Sequence, residues 1–323
     1  MSNHRESQPQ IAFQFPGQGS QQVGMGKALA GQFPIARQTF EEADDLLGFS
    51  LSRLCFDGPA DTLTETVNAQ PAILTASIAA LRTLQEATDH AIVPTCVAGH
   101  SLGEYSALVA AEALSFADAL HLVRLRGELM SLAGQANPGG MAAVLGLESD
   151  AMEEICRRAS EEGGIVQVAN DNAPGQVVIS GDTQALERAG ELAKAAGARR
   201  VIRLAVSIAA HSRLMTQAAE GLRRAIEVIH VRPPSLPIIG NVEVCSLRDA
   251  AAVQQELVTQ LTAPVRWTDT VRHLVHLGVT HFVEIGPGNV LTGLLSRIAG
   301  DARAFTVGDP ESLAAFCQTF LGA

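Results

Sequence analysis

Ser101 lies in Gly99-His100-Ser101-Leu102-Gly103, a G-x-S-x-G pattern with the apolar run 92–98 before it and the helix-forming stretch 104–111 after it. A serine on a tight strand-to-helix turn holds its hydroxyl clear of the sheet, beside the first free N–H groups of the helix. Those groups carry partial positive charge and suit an oxyanion, so the pattern predicts acyl transfer through a covalent serine ester. The flanking glycines let the chain turn sharply and let a neighbouring segment come close. The five-residue pattern alone recurs by chance; the strand and helix around it give it meaning.

A serine nucleophile needs a base. Of the nine histidines, His211 stands at a strand-to-helix junction, after residues 206–210. There a helix dipole disfavours imidazolium and leaves the ring able to accept a proton. His100 adjoins the serine, but neighbouring side chains at a sharp turn point apart. His273, His276 and His281 lie on or beside an amphipathic pattern and read as solvated or packed. A cation is also placed unusually. Arg126 falls inside the stripe Phe116, Leu120, Val123, Gly127 and Met130, whereas Arg124 points away and can pair with Glu128. An inward guanidinium is costly unless an anion meets it; an arginine snorkelling at the stripe edge is the other reading. The pattern leaves both open.

Residues 11–15 form the first expected strand, ending in the glycine-rich loop 16–21. That loop lacks the Lys-Ser/Thr of a Walker loop and is not G-x-G-x-x-G, so it is better suited to offering a backbone N–H to a neighbouring site. Helical patterns cover 22–47 and 70–87, and the capping box Ser115-Phe116-Ala117-Asp118 opens a helix to about residue 134. Pro138-Gly139-Gly140 marks a boundary. Beyond it come strand 141–147, helix 150–162, strand 165–170, turn 172–175, strand 176–180, helix 183–196 and strand 200–206, the ferredoxin-like order. Helix 212–228, strands 238–244 and 282–285 with a helix between, and helix 290–299 resume the larger unit. The expected α/β architecture is an α/β-hydrolase-like large domain with a parallel central sheet (11–137 and 208–323), carrying an inserted ferredoxin-like small domain (138–207), behind a flexible tail (1–10).

With 323 residues, 47% hydrophobic and 18% charged, the chain is an ordinary folded protein, and its net charge of −11 argues against a nucleic-acid partner. Five scattered cysteines form no C-x-x-C pair or metal-ligand cluster, which points to free thiols in a reducing compartment and to no metal. Residues 1–10 lack the apolar core of a signal peptide, and no run approaches a membrane span. A cytoplasmic monomer is the expectation.

Several further segments now matter together. They are Phe15-Pro16-Gly17-Gln18-Gly19-Ser20-Gln21, Gly99-His100-Ser101-Leu102-Gly103-Glu104, Arg124-Leu125-Arg126-Gly127, residues 174–181, His211-Ser212 and Glu284-Ile285-Gly286-Pro287-Gly288. In this order, from about residue 11 to residue 299, the chain resembles the malonyl-CoA:acyl carrier protein transacylases of fatty acid synthesis and the acyltransferase domains of polyketide synthases. The resemblance implies a nucleophile at Ser101, a general base at His211 oriented by a backbone carbonyl from 258–261, and an oxyanion hole from the N–H groups of Gln18 and Leu102. It implies that Arg126 pairs with the malonyl carboxylate, that Gln260 and Asn241 line the pocket, and that Asn170 and Asn172 face the thioester or carrier. The implied donor is malonyl-CoA, a coenzyme A thioester, and the acceptor is the phosphopantetheine thiol of acyl carrier protein, with no bound cofactor. Two departures bear on specificity. Ile208-Ala209-Ala210 matches neither of two patterns that commonly precede the histidine in polyketide acyltransferases, and small Ala209 and Ala210 leave space for an α-substituent. Leu102 after the serine favours malonyl in that family. The alternatives are a discrete polyketide acyltransferase, accepting malonyl or an α-substituted malonyl group, and a hydrolase using water as acceptor, against which Arg126 argues.

Overall fold

The computed structural model describes residues 9–321. Most of the expected tail lies outside them; at its end, the Gln10 carbonyl accepts the N–H groups of Thr280 (3.0 Å) and His281 (3.1 Å), so the tail is tied down by residue 10.

Eleven strands are found among the described residues: β1 Ile11–Phe15, β2 Cys96–Gly99, β3 Gly139–Leu145, β4 Val166–Ala173, β5 Gln176–Asp182, β6 Arg200–Arg203, β7 Ile238–Ile239, β8 Ser246–Leu247, β9 Val265–Arg266, β10 His281–Ile285 and β11 Arg303–Val307. Six form one sheet in the order β11-β10-β1-β2-β7-β8, parallel except for the β7–β8 hairpin. Its central strand, Ile-Ala-Phe-Gln-Phe, is buried throughout because both faces are covered. Ile11, Phe13 and Phe15 enter the main core with the long helices Thr66–Ala87 and Phe116–Ala136, while Ala12 joins Trp267, Phe282 and Leu291 on the other face.

The second sheet runs β6-β3-β5-β4-β9 and is antiparallel except where β9 joins β4. Val166, Val168, Val177 and Ile179 pack under helices Ser149–Glu161 and Thr183–Ala195. Residues of the opposite face, Met141, Ala169 and Val178, form a separate small cluster with Ala210 packed against it. Because β9 comes from beyond residue 260, one edge of this sheet is stitched to the chain that returns to the larger unit.

Several expected elements differ. The apolar run 92–98 yields only Cys96–Gly99, since Pro94 has no N–H for a ladder and Val93 is 65% exposed. Pattern 22–47 splits into Lys27–Gln32 and Pro34–Leu47, with Pro34 at the first position of the second helix. Residues 238–244 give two strand residues before a six-residue loop (240–245) to β8, and the single helix expected after them is two, Ala250–Thr259 and Trp267–His276. β11 and the helix Pro310–Leu321 were not anticipated. Among the described residues, no helix is long and apolar enough to cross a membrane.

Candidate active site

β2 runs directly into Ser101, and helix Gly103–Ala110 starts two residues later. Ser101 adopts φ +50°, a left-handed conformation that non-glycine residues take at a cost of about 1–3 kcal/mol. Close approach on both sides holds it there. A Cβ on Gly99 would overlap the backbone of Gly103, and a Cβ on Gly103 would overlap the Phe15 carbonyl. Asn241, fully buried, clamps the turn. Its Oδ1 accepts the Ser101 N–H at 2.7 Å and its Nδ2 donates to the Gly99 carbonyl at 2.7 Å.

The His211 Nε2 lies 2.8 Å from Ser101 Oγ, although the two residues are 110 positions apart. Its Nδ1 lies 2.7 Å from the Gln260 carbonyl, an obligate acceptor, so Nδ1 carries the proton and the Nε2 lone pair faces the hydroxyl. Burial pushes the imidazole pKa down to about 3, and the Arg126 charge acts in the same direction. The ring is therefore a neutral base at ordinary pH. His211 too has a positive φ, +57°. His100 turns the other way, donating from Nε2 to Asn172 Oδ1 at 2.8 Å and meeting Trp267 edge-on.

Arg126 is 2% exposed, which excludes snorkelling. It donates from Nη1 to Gln70 Oε1 (2.9 Å) and from Nη2 to Gln260 Oε1 (3.1 Å) and Ser101 Oγ (3.1 Å). Its Nε has no partner, and among the described residues no carboxylate forms an ion pair with it. By contrast Arg124 reaches Glu128 at 2.9 Å, as its position predicts. The acids closest in the hydrogen-bond network are Glu104, bonded to Gln260 Nε2, and Glu256, which meets Glu104. Burial pushes both carboxyls above the usual range, and the Glu256 charge adds to the rise at Glu104. Glu104 and Arg126 favour each other's charged forms, but burial dominates at the carboxyl, which bonds Gln260 and makes no ion pair with the guanidinium. Glu104 directly follows the G-x-S-x-G segment, but an acid in the first turn of a helix is common and carries no signal of its own.

A cavity of about 380 Å³ opens over the serine, bounded by Gln18, His100, Ser101, Arg126, Asn170 and His211. Gly17 brings the first loop against the His100 carbonyl, where a Cβ would not fit. The N–H groups of Gln18 and Leu102 meet no acceptor among the described residues. Two expected positions are corrected. Asn241 and Gln260 are fully buried behind the serine and do not line the cavity, because the Asn241 amide is spent on the serine turn and the Gln260 amide on Ser101, Glu104 and Arg126. Asn172 borders the cavity, but its Oδ1 is occupied by His100. Of the two small residues before His211, only Ala210 faces the cavity; Ala209 is fully buried.

A serine bonded to a carbonyl-oriented imidazole, beside free backbone N–H groups and a buried cation, can form and break an acyl ester. Comparison with known proteins agrees. The family model of the acyl transferase domain matches residues 12–307. The malonyl CoA-acyl carrier protein transacylase of Bacillus subtilis (strain 168) is 48% identical over 309 residues, covering 96% of this chain and 96% of that protein. The corresponding protein of Salmonella typhimurium is 46% identical, covering 95% and 98%. Among solved structures, an acyl carrier protein S-malonyltransferase from Vibrio cholerae superposes with a TM-score of 0.92 at 44% identity, covering 95% of this chain and 99% of that one. A malonyl-transacylase solved with its type II polyketide acyl-carrier protein also gives 0.92 at 44% identity, covering 97% and 100%. With the match running through the serine turn, the histidine and both sheets, the chain belongs to the acyl transferase domain family.

Proposed function

We propose that this protein transfers a malonyl group from malonyl-CoA to the phosphopantetheine thiol of an acyl carrier protein through a malonyl-Ser101 ester, in fatty acid biosynthesis. The relatives' names support donor and acceptor. The observation that carries the assignment of the acyl group is Arg126, a buried guanidinium with amide and hydroxyl partners but no carboxylate, 3.1 Å from the nucleophile. A malonyl half-ester on Ser101 brings the missing anion to it.

In the first half-reaction His211 Nε2 takes the Ser101 proton as Oγ attacks the thioester carbonyl. The oxyanion is stabilised by the N–H groups of Gln18 and Leu102. Collapse breaks the carbon–sulfur bond, and coenzyme A leaves as a thiol with the proton from His211. The carrier thiol then gives its proton to His211, attacks the ester and regenerates Ser101. Gln260 acts twice, its carbonyl fixing the histidine tautomer and its side chain orienting Arg126. Asn241 holds the serine turn. Asn170 and Asn172 border the path of the pantetheine arm. Acetyl-CoA is disfavoured because it would leave the Arg126 charge buried and unpaired. Malonyl is favoured over an α-substituted group by Leu102 and because Ala210 alone of the two alanines reaches the cavity. We read the larger sheet and its helices as an α/β-hydrolase-like body and β3–β6 with their two helices as an inserted ferredoxin-like unit.

Coenzyme A release, followed with and without phosphopantetheinylated carrier protein, tests the acceptor. One burst equal to the enzyme concentration is expected without carrier and sustained turnover with it; sustained release to water alone would mark a hydrolase.

A further inference from the structure

The base His211 and the carbonyl that orients it come from two separate turns. His211 lies in an irregular segment at φ +57°, and Gln260 lies in the turn after helix Ala250–Thr259. Neither turn has a ladder to hold it at a fixed distance from the other. Apart from the His211 ring itself, the Gln167 side chain bridges them. The Gln167 Nε2 donates to the His211 carbonyl at 3.1 Å and to the Thr262 carbonyl at 3.1 Å, two residues past the orienting carbonyl. Its Oε1 accepts the N–H of Arg213 at 3.1 Å. Its amide is thus committed to the backbone of the base and of the second residue after it, and to the turn that carries the orienting carbonyl.

The sequence explains why Gln167 points there. Val166 and Val168 are each 4% exposed in the core of the small sheet, so alternation along β4 sends Gln167 to the opposite face. β4 is an inner strand between β5 and β9, which makes it a rigid mount. In the sequence the glutamine looks like any polar residue alternating on a strand.

We propose that Gln167 is a positioning residue for the general base, setting the separation between His211 and the Gln260 carbonyl. It touches neither substrate nor reacting atoms and acts only through His211, so the inference rests on the Ser101–His211 reading above. Loss of the clamp would let the Nδ1 bond lengthen and the ring swing from the hydroxyl, which lowers the rate of both proton transfers and leaves donor binding by Arg126 intact.

The test uses Gln167→Met, similar in length but without a donor, and Gln167→Glu, which keeps an acceptor for the Arg213 N–H and loses both donations. Malonyl transfer to carrier protein should show kcat reduced about tenfold or more in both, with KM for malonyl-CoA within about twofold of wild type. The downfield proton resonance of His211 Nδ1 should be present in wild type and broadened in both variants. Adding Gln167→Met to His211→Ala should cause no further loss, since one residue acts through the other. A folded Gln167→Met protein with kcat within about twofold of wild type, or an equal loss in the His211→Ala background, would overturn the proposal. Ser101→Ala and His211→Ala controls separate the two claims: if they transfer malonyl normally, the dyad reading has failed, whereas if Ser101→Ala is inactive, His211→Ala keeps only slow residual transfer and Gln167→Met is normal, only the role of Gln167 has.

Discussion

Single residues in this site are defined by what they are denied. His211 is denied water, and its pKa falls from 6.5 to about 3. Between those values the unfolded chain binds a proton that the folded chain refuses. Stability is therefore unaffected by this group above about pH 6.5 and is lost as pH falls toward 3. Glu104 and Glu256 act in the opposite sense, since their raised pKa values favour the folded state at low pH and that stability is lost as pH rises. Comparing wild type with His211→Gln separates the histidine from the carboxyls. From pH 7 to pH 5, urea unfolding should show wild type losing about 1–2 kcal/mol more than the variant; parallel losses would contradict the buried neutral ring. Ser101 was legible from its turn; type and position singled out His211 and Arg126 only as candidates, and the resemblance to a family gave them roles, because nothing local shows that an inward arginine faces the serine. The Gln260 contribution was less so, because a carbonyl has no letter in the sequence, and Asn241 was read as a pocket residue because nothing local reveals that its amide faces the serine turn.

At the scale of elements, the serine turn depends on three segments packed closer than side chains allow. Helix Gly103–Ala110 rests on the Phe15 carbonyl at the end of β1, and Gly99 rests on Gly103. Gly103→Ala is therefore expected to cost about 4 kcal/mol or more, read as a fall in the urea midpoint. A variant as stable as wild type would show that the contact is relaxed. Elements with strong periodicity were legible. β3 to β6 and their two helices appear in the expected order, with no boundary moved by more than three residues. The short strands β8 and β9, two residues each, were not, because pairing with distant partners defines them and propensity does not; β7 keeps only two of the seven strand residues expected there. The run 92–98 misled in the other direction: its apolar composition suits a strand, but Pro94 cannot join a ladder.

For the whole molecule, the site is a meeting point of remote segments. The serine comes from the end of β2 and the cation from helix Phe116–Ala136, the base lies beyond the small sheet, and its orienting carbonyl follows helix Ala250–Thr259. β9 paired with β4 holds the returning chain against that sheet. Such a site forms only when the entire fold is in place, so one covalent product reports on all of it. Intact-mass measurement after brief exposure to malonyl-CoA or acetyl-CoA is the most direct test of the central claim, that a serine–histidine pair takes up an acyl group whose far carboxylate answers Arg126. Wild type should gain one malonyl-sized increment and little acetyl, Ser101→Ala should gain neither, and Arg126→Ala should lose its preference for malonyl while keeping some acylation. A malonyl adduct that survives in Ser101→Ala, or an unchanged malonyl preference in Arg126→Ala, would contradict it.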